Sequence, residues 1–156
     1  MEIGFLADHR GAIETLGEWY TQEWGPYYGE GGPGDARADL VSRCNRDRLP
    51  IGLVAIEGDR VCGTAALDRD ATTGLTPSIV GLLVARDHRG KGIAGALIDA
   101  TGCLDRDLGC DELFVSTSIL GEMLLRRGWR ERGETEFLNK ERGRVYVRSL
   151  TARRQS

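Results

Sequence analysis

The sequence is short of the side chains that assemble metal centres. It has two histidines, His9 and His88, and four cysteines, Cys44, Cys62, Cys103 and Cys110, with no Cys-x-x-Cys pair and no histidine close to any of them. That spacing argues against a zinc site. The lack of a histidine partner argues against a cysteine nucleophile, and Cys62 in an apolar run and Cys103 on an apolar helical face read as small core residues. No apolar run approaches membrane-spanning length, and the start MEIGFLADHR lacks the basic segment and apolar block of a signal peptide. The expectation is a cytoplasmic chain whose thiols stay reduced. Nor does one charge dominate: 21 Lys+Arg face 24 Asp+Glu, for a net charge of -3. This argues against broad nucleic-acid binding and admits a cationic substrate.

What is present suits one domain with a real core: 156 residues, 40% hydrophobic and 29% charged. The expected boundaries are residues 1–150 for the domain and 151–156 for a frayed tail. Glu2 to Ala7 reads as a strand, and Asp8 as the cap of a helix running to Trp24 with Ile13, Leu16, Trp19 and Tyr20 on one side. GPYYGEGGPGD, residues 25–35, is too rich in glycine and proline for helix or strand and reads as a mobile loop. Its Tyr27 and Tyr28 either contact substrate or cover the core edge. Asp35 caps a second helix to about Asp47, with Leu40, Val41 and Cys44 inward, and IGLVAIEGDRVCGTAALDRD follows as a hairpin around Glu57-Gly58-Asp59-Arg60.

The chain is organised around Ser78 to Cys110. Ile79 to Val84 reads as an apolar strand, Arg86 to Gly92 as a polar turn, and the remainder as a helix with Ile93, Ala94, Leu97, Ile98, Cys103, Leu104 and Leu108 apolar. Further on come a strand at Leu113 to Ser116 and a short helix from about Ile119 to Arg127, with Ser118 as cap and Gly128 at its end. Trp129 to Leu138 and Arg144 to Leu150 read as strands around the turn Asn139 to Gly143. The order β, α, α, β, β, β, α, β, α, β, β predicts a mixed sheet with packed helices and a single strand-helix-strand crossover.

At the strand-to-helix turn the first helical amides lack intrahelical acceptors, and Gly90 and Gly92 admit a ligand to the backbone, so a phosphate or pyrophosphate fits. Gly90, Gly92 and Gly95 also spell the dinucleotide fingerprint GxGxxG, with Asp111 downstream. That fingerprint follows the first strand directly and places its acidic residue at the end of the second. Here Arg86-Asp87-His88-Arg89 intervene, a meander precedes the motif, and Asp111 comes before its strand, so the context fails on three points.

Arg89-Gly90-Lys91-Gly92-Ile93-Ala94 instead resembles the R/Q-x-x-G-x-G/A signature of the GNAT superfamily of acyl-CoA-dependent N-acetyltransferases. Leu82-Leu83-Val84 resembles that family's bulged strand, Leu113 to Trp129 its later strand-helix segment, and Glu23-Trp24-Gly25 with Leu49-Pro50 its small bacterial members. The resemblance implies an α/β (α+β) fold with a mixed, mostly antiparallel central sheet of about seven strands flanked by helices. It implies acetyl-CoA as cofactor, with the pyrophosphate on Arg89, Gly90, Lys91, Gly92, Ile93, Ala94 and Gly95, and the pantetheine arm along Leu82, Leu83 and Val84 as an added strand. A backbone amide there would polarise the thioester carbonyl. The acceptor would be a small-molecule or peptide amine; no nucleic acid or membrane partner is implied, and similar proteins are commonly homodimers.

Many family members return a proton to the CoA thiolate from a tyrosine four residues before the Gly-aromatic pair, and position 124 is leucine here. Ser116 and Thr117 are the first substitutes as catalytic hydroxyls, with strand-end and helix-cap roles as their alternative. Glu23, and with it Glu18, is a candidate for a base or for binding a cationic amine, although a solvated helix face accounts for either. Asp68 and Asp70, at a strand end, are equally explained by turn chemistry. A binding module that has lost transfer activity is the alternative that Leu124 raises.

Overall fold

The computed structural model describes residues 1–137 and 140–150. Its strands are β1 (Glu2–Phe5), β2 (Ile51–Glu57), β3 (Arg60–Asp68), β4 (Ser78–Val84), β5 (Glu112–Thr117), β6 (Arg130–Glu136) and β7 (Arg142–Ser149). They form one sheet in the order β1-β2-β3-β4-β5-β7-β6. Every neighbouring pair is antiparallel except β4 and β5. That parallel pair is joined through helix α4 (Ile93–Asp107), because strands running the same way need a crossover long enough to return the chain to its starting end. The mixed seven-stranded sheet is the one expected.

Both faces of the sheet's first half are covered, which is why β2 reads as an unbroken apolar run rather than an alternating one. Leu53 and Ala55 of β2 pack with Ile93, Leu97 and Ile98 of α4 and with Leu124 of α5 (Gly121–Arg126). Val54, pointing the other way, packs with Ile13, Leu16 and Tyr20 of α1 (Ile13–Glu23) and Leu40 of α3 (Ala36–Ser42). The two layers bring the end of α1 and the start of α4 to opposite faces of the same strand, β4.

Several local expectations give way to tertiary packing. Residues 6–12 form two 3-10 turns rather than the start of α1, and Asp8 caps nothing; it pairs with Arg46. Within the expected loop, Gly25–Tyr28 closes one helical turn, α2, with Pro26 in the first turn where a missing N–H costs nothing. Tyr28 stacks on Tyr20 at 5.6 Å and donates to Asp39 at 2.8 Å, and Tyr27 meets Tyr28 edge-on at 4.7 Å. The two tyrosines therefore cover the core edge. Asp35 does cap α3, accepting from the Ala38 amide at 3.0 Å, but the helix stops at Ser42 and leaves Val41 exposed.

On α4 the inward stripe runs Ile93, Leu97, Ile98, Thr101, Gly102 and Asp105, at spacings of three and four. Cys103 lies beside that stripe and is exposed, contrary to its reading as core; Cys62 is fully buried, as expected. Ser118 is not the cap of α5. Thr117 Oγ1 instead accepts from the amides of Ile119 and Leu120, both at 3.2 Å, and the helix begins later. Leu138 and Asn139, part of the expected final hairpin, and the expected frayed tail 151–156 lie outside the described residues.

Candidate active site

Strands β4 and β5 run together for one step only. Ser78 pairs with Phe114 and Ile79 with Val115, after which they part, leaving residues 80–84 of β4 without a partner on that side. On the other side β4 is irregular: Thr64 pairs with Leu83 and Ala66 with Val80, so Gly81 and Leu82 together oppose Ala65. This is a β-bulge. Gly81 takes φ +60, and a Cβ there would collide with the Tyr20 hydroxyl, so both backbone and space require glycine. Tyr20 donates to the Gly81 carbonyl at 2.8 Å.

The turn after β4 passes through a 3-10 segment, Arg86–His88, and then Gly90 and Gly92 at φ +79 and +83. Nothing lies within 4 Å of where a Cβ would stand at either glycine. Left-handed backbone rather than crowding calls for them, and the space in front is open. Gly92 is the N-cap of α4 and supplies no side-chain cap; the first helical bond runs from Ala96 to Gly92 at 3.0 Å. The amides of Ile93, Ala94 and Gly95 are thus without intrahelical acceptors at the positive end of the helix dipole.

Cations gather at this helix start. Arg89 donates from Nε to the Val84 carbonyl at 3.0 Å, tying the turn to the end of β4, and its Nη2 is 3.7 Å from Glu23. Lys91 is exposed. The Arg127 guanidinium lies against Gly95, where any Cβ would strike it, and is held by Asp99 at 3.3 Å. Two of these cations already have carboxylate partners, so the free amides and the dipole end, with Lys91 exposed beside them, are what can hold an anion such as a pyrophosphate. The His88 ring, 3.0 Å from Asp87, keeps that carboxyl below the usual carboxylate range through their hydrogen bond.

Of the residues expected at the site, Leu82, Leu83 and Val84 lie on the half-unpaired length of β4, and Arg89 through Gly95 form the turn and helix start. Leu83 packs toward α1, whereas Leu82 and Val84 pack toward α4. Glu23 faces the turn through Arg89. Ser116 and Thr117 end β5, and Thr117 serves the turn into α5 as an acceptor. Leu124 is completely buried against the core that holds Trp129. Among the described residues no group of three or more His, Cys, Asp or Glu is arranged to hold a metal ion, and no helix is long and apolar enough to cross a membrane.

Four residues that the sequence does not single out lie beside these elements or at the start of α5. Tyr20 was read only as core. Arg43 is buried beneath the bulge, with its Nε 3.4 Å from Asp68. Tyr146 of β7 sets its hydroxyl against Gly121 at the start of α5. Arg127 completes the cation group. The one signal for the first pair was Gly81, an isolated glycine inside an apolar strand, which marks a bulge.

Solved structures share this chain's fold. An aminoglycoside 6'-N-acetyltransferase complexed with coenzyme A matches with a TM-score of 0.75 and 14% identity, over 96% of this chain and 97% of that one. The aminoglycoside 6'-N-acetyltransferase from Enterococcus faecium matches at 0.73 and 13%, over 96% and 97%. A GNAT-family acetyltransferase from Staphylococcus aureus Mu50 matches at 0.68 and 17%, over 96% and 99%. At these identities the likeness speaks for the fold alone. No curated protein matches the chain. The model of the Acetyltransferase (GNAT) family matches residues 13–119, and the chain belongs to that family.

Proposed function

We propose that the protein is an acetyl-CoA-dependent N-acetyltransferase that moves an acetyl group to a primary amine, small-molecule or peptide, by direct attack in a ternary complex. One observation carries this: the uncapped start of α4, with Gly90 and Gly92 left-handed and facing open space, directly follows a strand that is bulged and half unpaired. The amides of Gly92 to Gly95, with Arg89 and Lys91, fit the pyrophosphate of CoA. The backbone of Leu82 to Val84 fits its pantetheine arm, because peptide-like amides can pair with an open strand edge. When bound, acetyl-CoA supplies the acetyl group already activated as a thioester.

The acceptor must arrive as a free base. An alkylamine has an ordinary pKa of about 10.4, so loss of water around it in the cleft favours the neutral, nucleophilic form. Glu23 is drawn to Arg89 and contributes to the charge balance of the turn. Ser116, and the Tyr146 phenol at the first turn of α5, are the hydroxyls we assign to returning a proton to the leaving thiolate, since Leu124 has none.

Calorimetry with acetyl-CoA tests the reading. The wild type binds, and Gly92→Glu, which sets a carboxylate before the helix start, abolishes binding with the circular dichroism unchanged. No heat from the wild type at millimolar acetyl-CoA overturns the proposal. The buried leucine at position 124 favours a second reading, a CoA-binding sensing module with little or no transfer. Turnover across an amine panel decides between them: robust acetylation of any amine excludes the module, and binding without turnover supports it.

A further inference from the structure

The β4 bulge is braced by a buried polar cluster. Gly81 and Leu82 have no single register partners on β3, and β5 has already left the sheet edge. The Gly81 carbonyl is satisfied instead by the fully buried Tyr20, 61 residues away in sequence, at 2.8 Å. Behind this hydroxyl sits Arg43, whose side chain is 8% exposed. Its Nη1 is buried beside the Tyr20 phenol and would stand 3.2 Å from a Cβ on Gly81. A guanidinium is costly to bury, so packing alone does not account for it.

What Arg43 offers is charge. Burial pushes the Tyr20 phenol up and Arg43 works against that rise, leaving the phenol protonated and able to donate. Burial works against the charge on Arg43, but the carboxylates of Asp68, 3.4 Å from its Nε, and Asp39 favour it, and the guanidinium stays a cation. A cation beside the phenol draws density from its oxygen and makes its O–H a stronger donor to Gly81. Hydrogen bonds in series polarise one another, so the Gly81–Leu82 peptide is polarised in turn and its N–H becomes more acidic. In a planar trans peptide that N–H points opposite to the carbonyl, hence away from α1.

We infer that Tyr20, backed by Arg43, is a positioning residue that fixes the Gly81–Leu82 peptide and strengthens the Leu82 amide as the donor to the thioester carbonyl. This rests on the reading of β4 as the acyl-CoA strand. Tyr20 and Arg43 act through the backbone and do not touch the acyl group.

The test uses the full chain with acetyl-CoA labelled with carbon-13 at the thioester carbonyl. In the wild type the bound carbonyl resonance moves downfield of the free one. In Tyr20→Phe it loses about half of that displacement or more, while affinity for CoA itself stays within about threefold. Arg43→Met moves the resonance in the same direction and carries the test if Tyr20→Phe does not fold. Tyr28→Phe, which removes a phenol from the same aromatic stack without touching β4, keeps the wild-type displacement. A wild-type displacement in a folded Tyr20→Phe, or no displacement in a wild type that binds, overturns the inference and leaves the proposed function standing. A wild type that does not bind acetyl-CoA overturns both.

Discussion

Substituting alanine at two left-handed glycines separates backbone strain from lost contact. Gly81 and Gly90 have similar φ, +60 and +79, so alanine pays a similar conformational cost at each, about 1–2 kcal/mol. At Gly90 nothing lies within 4 Å of the new methyl, and the cost ends there. At Gly81 the methyl runs into the Tyr20 hydroxyl and comes within 3.2 Å of Arg43 Nη1, inside a fully buried cluster that has no free end to swing away. Relief requires Tyr20 to move, which breaks its 2.8 Å bond to the Gly81 carbonyl and leaves that acceptor unsatisfied, a further cost of about 1–3 kcal/mol. Gly81→Ala should therefore lose about 2–5 kcal/mol against about 1–2 kcal/mol for Gly90→Ala. Urea denaturation followed by circular dichroism measures both. If the two variants lose the same stability within error, the Tyr20 contact is not what shapes the bulge.

Other perturbations follow from the packing. Asp105 is fully buried, and burial pushes its carboxyl up to about 6 against a smaller lowering by a hydrogen bond from the Cys110 thiol. An unfolded aspartate titrates near 3.9, so stability is complete below about pH 4 and falls as pH rises through about 6, by up to about 3 kcal/mol. Asp105→Asn should then stabilise the protein at pH 7.5 and lose that advantage at pH 4; a gain independent of pH refutes the assignment. Leu124→Ala, at a site with no exposed surface, should cost about 2–5 kcal/mol by urea titration; a loss below about 1 kcal/mol would mean that α5 is not anchored there. Asp35→Ala removes the acceptor of the Ala38 amide and should cost about 1 kcal/mol, with an unchanged denaturation midpoint as the contrary result.

The sequence by itself determined what is encoded over short spans. The β2-β3 hairpin, the strand-turn-helix at Ser78 to Asp107, and the family signature were legible because turn conformation, strand pattern and an uncapped helix start depend on a few consecutive residues. The proposed anion-holding half of the site came with them, since backbone amides and left-handed glycines build it. Tertiary structure decided everything that depends on how elements dock. Helix periodicity made a face through Cys103 look apolar, but docking of α4 turned inward the stripe through Thr101 and Asp105. Glycine and proline content argued for a loop at residues 25–28, yet the stacking of Tyr28 on Tyr20 accompanies a helical turn there. The burial of Leu124 and the link from Tyr20 to Gly81 join residues from separate elements, and no local pattern fixes such a pairing. The phosphate-type turn is thus local chemistry, whereas the bulge beside it is held by side chains that only the fold brings together.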